Sequence, residues 1–238
     1  MTAASRPSET FGTDSRRATD LLYGADPRDL RTTRTTVEPM KRYSSIHSLQ
    51  HDLARCRSCG KAGFPIESAP VIQGAAGRPA YLYGQAPGIV EGSQGSPWRG
   101  RAGGTLRRWL ELDEEAFDAI FYCASVTRCY PGRTAGRGDR TPTPAEQRLC
   151  STWRSEELRL LRPTLVIAVG ALAARAILGA RTLADCVGKS YLVDDAVAIP
   201  LPHPSGASSW LNDRVNRGRL GKALTHARRE IARLEDPR

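Results

Sequence analysis

No run of about 18 apolar residues, the length of a bilayer-spanning helix, occurs anywhere in the 238 residues. The opening MTAASRPSETFGTDSRR lacks the apolar core of a secretory signal, so a cytoplasmic protein is expected. No G-K-[ST] follows the most glycine-rich segment, GQAPGIVEGSQGSPWRGRAGG (84–104), which excludes a phosphate loop of the P-loop type there. No thioredoxin-like βαβ pattern surrounds the C-x-x-C at Cys56, which argues against a dithiol redox motif. Internal repeats are also missing. Hydrophobic residues make up only 40%, and the shortfall is concentrated in the first 45 residues. Residues 1–44 therefore read as a flexible arm, and residues 45–238 as one domain.

What is present begins with charge. A formal net charge of +10, carried more by arginine than by lysine, makes a polyanion a candidate partner. Within the domain, SSIHSLQHDLARC spaces Ile46, Leu49 and Leu53 for one helical face. PAYLYG (79–84), AIFYCASVTRC (119–129), TLVIAVG (164–170) and DAVAIPLP (195–202) read as strands, separated by helical patterns at 103–112, from Thr143 onward and at ALAARAIL. RLGKALTHARREIARL closes the chain as a helix. Strands alternating with helices predict an α/β domain with a parallel sheet covered on both faces. Ligands of such sheets bind beyond the carboxyl ends of the strands, where the loops after Tyr83, Val126 and Leu201 lie.

Those loops hold the unusual residues. The glycines of GQAPG (84–88) permit close approach of backbone to a ligand, and Trp98 leads into a helix where it can wall a slot for a planar base. Pro202 and Pro204 bracket His203 and restrict where its imidazole points. Cys56 and Cys59 in CRSC can share one metal centre, with Cys129 and Cys150 farther along. Four thiolates suit zinc or an iron-sulfur cluster, and the residues alone leave that choice open. Cys123 and Cys186 read as buried apolar thiols.

Four motifs in order, CRSC, GQAPGIVEGSQGSPWRGRAGGTL, SVTRCYPGR with RTPTPAEQRLC, and HPSGAS, make residues 46–236 resemble the iron-sulfur uracil-DNA glycosylases. The resemblance implies a three-layer αβα fold with a central four-stranded parallel sheet. It implies a [4Fe-4S] cluster on Cys56, Cys59, Cys129 and Cys150. By the same likeness, Gly84, Gln85, Ala86, Pro87 and Gly88 form the water-activating and uracil-binding loop, and Trp98 stacks on uracil. His203 sits in the loop that enters the minor groove and donates a hydrogen bond to uracil O2 as charge develops there. Ser205 and Gly206 share that loop, Trp210 and Leu211 are candidates for the wedge that fills the gap left by a flipped nucleotide, and Arg214, Arg217 and Arg219 are either phosphate contacts or a solvated helix face.

The chain also departs from the family pattern. Gln85 stands where the family usually has glutamate, and Ala86 where other branches have aspartate or asparagine, so neither place carries an acid. Glu91, the nearest acid in the loop, is then assigned as base or water-orienting group, with Gln85 as an alternative holder of the water. Ser125 replaces the asparagine that reads the uracil edge, and HPSG looks more like the mismatch and thymine glycosylase branch. The interval from Cys129 to Cys150 runs about five residues longer than usual, through TAGRG, a change a surface loop tolerates. No basic insertion follows the glycine-rich segment, which sets aside the covalent-trapping branch. The motif loops carry no lysine for a Schiff base. The expectation is a monofunctional, monomeric, nucleoid-associated uracil-DNA glycosylase of base excision repair, acting on single- or double-stranded DNA. The alternatives are an iron-sulfur protein that recognises damaged or abasic DNA without efficient excision, and a zinc-stabilised nucleic-acid-binding module.

Overall fold

A computed structural model describes residues 41–134, 137–205 and 209–235. The expected arm falls almost wholly outside the described residues, as does Gly206. Its last residues belong to the domain's packing: the Tyr43 N–H donates to Glu156 Oε2 at 3.0 Å, and its ring lies 6.0 Å from that of Trp153.

The chain begins with α1 (Ile46–Ala54), whose N-cap Ser45 and Ser48 form a reciprocal cap, and then α2 (Ser58–Lys61). Strand β1 (Ala80–Gly84) leads through α3 (Ile89–Gln94), α4 (Arg101–Leu110) and α5 (Glu114–Ile120) into β2 (Phe121–Ser125). The strand expected from Ala119 thus starts two residues later, because Asp113 caps α5 and carries the helix through Ile120. A short hairpin, β3 (Arg133–Thr134) and β4 (Arg137–Asp139), precedes the long α6 (Pro144–Leu161). Thr143 caps α6 with Pro144 in its first turn, as its sequence predicts. Then follow β5 (Leu165–Val169), α7 (Ala171–Leu178), α8 (Leu183–Cys186), β6 (Tyr191–Val193), β7 (Ala196–Leu201), a 3₁₀ turn (Ser209–Asn212) and α9 (Arg214–Glu235).

The sheet order is β2-β1-β5-β7-β6. The first four strands are parallel, as expected, and β6 adds an antiparallel edge of three residues, too short to stand out in the sequence. Every residue of β1, β2 and β5 is buried, the pattern of strands covered on both faces. On one face, α4, α5 and α9 close a core around Leu82, Leu106, Phe117, Ile167 and Ile199. On the other, α1, α6 and α7 cover Tyr81, Tyr83, Tyr122 and Val166. At the β2 edge, Gln73 pairs with Cys123, while the Val71 and Glu67 amides donate to the Arg128 and Tyr130 carbonyls at 2.7 and 3.0 Å. Among the described residues no helix is long and apolar enough to cross a membrane.

Parallel pairing brings the carboxyl ends of the strands to one side. Gly84 is in register with Ser125, Val169 with Leu201, and the Gly170 N–H donates to the Leu201 carbonyl at 2.8 Å. The loops after β1, β2 and β7 therefore share one rim.

Candidate active site and cysteine-lined cavity

The glycine-rich loop is held shut by one carboxylate. Glu91 Oε2 accepts the Gly88 N–H at 3.2 Å, and Oε1 accepts the Gly100 N–H at 2.8 Å. Gly88 and Gly100 are the N-cap residues of α3 and α4, so one side chain supplies both helices with the acceptor a glycine cap lacks. The expected base is thus built into the loop as a brace.

Trp98, inside that loop, has a left-handed backbone (φ 59°), a conformation non-glycine residues seldom adopt and one often found at functional sites. Two glycines make room for it. A Cβ at Gly103 would lie 1.7 Å from the Trp98 carbonyl oxygen, and one at Gly84 would lie 3.0 Å from its indole. Gly103, inside α4, is therefore a packing requirement, accepted against helix propensity. Arg107 further fixes the Trp98 carbonyl with a hydrogen bond of 3.0 Å.

His203, just past β7, is half-buried, with its ring centroid 6.2 Å from that of Trp98. Its Nδ1 accepts the Ser205 N–H at 3.2 Å and lies 2.9 Å from the Ser205 hydroxyl. A backbone amide can only donate, so Nδ1 is the acceptor and the neutral ring carries its proton on Nε2. Burial pushes the His203 pKa below its usual 6.5, while the negative charges of Glu91 and Asp139 pull the other way. Asp139, to which no sequence motif points, is thus a second acid of this site. Its Oδ2 would lie 3.1 Å from a Cβ at Gly88, and its Oδ1 accepts the Tyr130 hydroxyl at 3.0 Å. It is the last residue of β4, directly after the TAGRG stretch.

The remaining expected residues divide. Ser125 is buried beside Gly84 and donates its hydroxyl to the Thr127 carbonyl at 2.6 Å, which leaves lone pairs for a ligand. The Gln85 carbonyl accepts the Thr127 N–H at 3.2 Å, and its side chain has no partner among the described residues. Ala86 is half-buried and Pro87 buried. Trp210 packs against the core, so of the two wedge candidates Leu211, half-buried and outside both core clusters, is the better placed. Arg217 donates to the carbonyls of Leu211 and Asn212 at 3.0 and 2.8 Å and thereby stabilises the 3₁₀ turn. Arg219 bonds Asn216 at 2.7 Å, while Arg214 is exposed and unpaired among the described residues.

On the other side of β2, Cys56, Cys59, Cys129 and Cys150 line one cavity of about 430 Å³. All four are free thiols, two of them buried. The pKa of Cys150 is held below the usual thiol range by hydrogen bonds from Cys59 and the Arg128 amide, against the opposing effect of burial, whereas burial pushes Cys129 up to about 12. Among the described residues no three His, Cys, Asp or Glu side chains close around a single-ion point. Four sulfurs on the wall of one cavity are a donor set that an iron-sulfur cluster or zinc uses. Cys123 and Cys186 are buried in the core, as expected.

Residues 73–224 match the family model described as the Uracil DNA glycosylase superfamily. A Type-4 uracil-DNA glycosylase of Thermotoga maritima is 32% identical over 90 residues, which are 38% of this chain and 44% of that protein. One of Archaeoglobus fulgidus is 26% identical over 155 residues, covering 63% and 74% respectively. A Type-5 uracil-DNA glycosylase of Pyrobaculum aerophilum is 36% identical over 102 residues, 42% of this chain and 40% of its own. The matched stretch thus spans less than half of the Thermotoga and Type-5 proteins.

Proposed function

Because the chain belongs to the uracil DNA glycosylase superfamily, we propose that it removes uracil from DNA by hydrolysing the N-glycosidic bond, leaving an abasic site. The observation that carries this reading is the His203 side chain, which reaches the rim with a donor Nε2–H fixed by Ser205. The flipped deoxyuridine enters between the glycine-rich loop and the histidine loop, with Trp98 as one wall. As the C1′–N1 bond breaks, its electron pair passes to the base, and the Nε2–H of His203 stabilises the negative charge on O2. Ser125 accepts the N3–H with a lone pair, since its own proton is committed to the Thr127 carbonyl.

The attacking water needs an acceptor for its proton. Asp139 supplies that carboxylate from β4, and the Gln85 amide helps to hold the water. Oxygen bonds to C1′, the water's proton passes to Asp139 and then to solvent, and the base departs as the uracil anion, which takes up a proton from solvent. Leu211 serves as the wedge, and exposed Arg214 meets a phosphate.

A [4Fe-4S] cluster on Cys56, Cys59, Cys129 and Cys150 would join α1, α2, the segment after β2 and α6 by metal–thiolate bonds. The chain's own part is to present four thiols on the wall of one cavity. Purified protein is expected to be brown and to contain iron, and Cys150→Ser is expected to lose both the colour and most of the iron. A colourless, zinc-containing parent prepared without air would overturn the cluster.

The activity is tested by incubating the protein with single- and double-stranded uracil oligonucleotides and cleaving abasic sites with alkali. Strand breaks at the uracil position are expected. DNA binding without cleavage at any protein excess would replace this reading with that of a lesion-binding protein.

A further inference from the structure

Arg128 is the largest fully buried side chain among the described residues, and the proposed chemistry does not use it. It follows the base-facing end of β2 and immediately precedes Cys129. One guanidinium nitrogen donates to the Ser125 carbonyl, and another pairs with Glu157. Glu157 also accepts the hydroxyls of Tyr81 at 2.6 Å and Tyr122 at 3.2 Å, from β1 and β2. It lies on α6 two turns beyond Cys150, so both residues point to the same side of that helix. Arg128 also lines the cavity that Cys129 and Cys150 line.

Stability alone gives little reason for this arrangement. Apolar side chains of equal volume commonly serve a core as well as a buried ion pair does. Here Arg128 Nε is buried without a partner, so the pair does not even satisfy its own donors. What the fork supplies is direction. A planar guanidinium can bond a carbonyl and a carboxylate at fixed angles at once, which a lysine ammonium cannot.

We propose that Arg128 is a positioning residue that ties the base-facing end of β2 to the helix face carrying Cys150. The Ser125 peptide is thereby held in place by the same two segments that present Cys129 and Cys150. Displacement of either cysteine segment moves the residue that reads the base. This inference rests on the glycosylase reading and on Ser125 as the residue that meets the base.

The test is a double-mutant cycle joined to amide hydrogen exchange. Excision of uracil from a single-stranded oligonucleotide by the parent tests the glycosylase reading, and slowing by Ser125→Ala tests the role of Ser125. Arg128→Lys is then expected to slow single-turnover excision roughly 10-fold with KM nearly unchanged, the effect of removing one well-placed interaction from the transition state. In the Ser125→Ala background the same substitution is expected to slow nothing further. Exchange is expected to accelerate at the amides of Val126 and Thr127, which bond the Gly84 and Gln85 carbonyls, while β5 keeps its protection. Should Arg128→Lys not fold, Arg128→Met/Glu157→Gln removes both charges and takes its place in the cycle. Parent-like rates, an additive penalty on Ser125→Ala, or exchange rising equally through β5 would each overturn the tie. A parent that excises nothing would refute the glycosylase reading, and exchange alone would then decide for or against the tie.

Discussion

Replacing His203 with alanine is expected to slow uracil excision by on the order of 100-fold or more, the usual cost of removing a preorganised donor from a developing anion. The imidazole is prepared for that task before any ligand arrives. Two Ser205 groups converge on Nδ1, so the opposite nitrogen presents its hydrogen without a tautomer change. Single-turnover rates are the proper readout, because DNA affinity resides mainly in phosphate contacts and should change little. A His203→Ala rate equal to that of the parent would remove the histidine from the mechanism.

The same residue has a pH signature. Its folded-state pKa lies below the ordinary 6.5 because burial disfavours the cation. The unfolded chain therefore binds the proton more readily, and this group contributes stability above pH 6.5 that is lost as pH falls through and below that value. Parent Tm should drop more than that of His203→Ala between neutral and mildly acidic buffer. An equal drop would mean that the ring is not held neutral by burial.

Asp139→Asn is the second large effect, expected at roughly 100-fold, since asparagine can hold a water but cannot take its proton. Position gives the residue this role: one carboxylate oxygen is braced by Tyr130, and the other faces the Gly88 backbone beside the histidine. Gln85→Ala should cost less than Asp139→Asn, because the amide only orients. The reverse order would move water activation back to the loop at 84–88.

Much of this site is legible in sequence because its pieces sit at the ends of strongly patterned strands. Counting parallel strands puts Gly84, Ser125 and His203 on one rim, and the sheet register sets Gly84 beside Ser125 and ends β7 just short of His203. Asp139 is not legible. It lies more than fifty residues beyond Gly88 in an irregular stretch, and only the hairpin brings the two together. Glu91 stands out for its chemistry, yet its partners are backbone amides that no side-chain pattern reveals. Arg128 looks like the polar end of an apolar run. Its burial depends on Glu157, which on helical periodicity would be taken for a solvent-facing residue.

The sheet edges carry a consequence for crowding. On the β2 side the residues around Val71 and Gln73 already occupy the ladder, and on the other side β6 is three residues long and followed by the acidic turn at Asp194 and Asp195. Little ladder remains onto which a second chain could add a strand. On the proposed function, a protein of net charge +10 is gathered at high local concentration along DNA. An occupied edge and a three-residue edge let neighbouring copies collide there with little tendency to knit into aggregates.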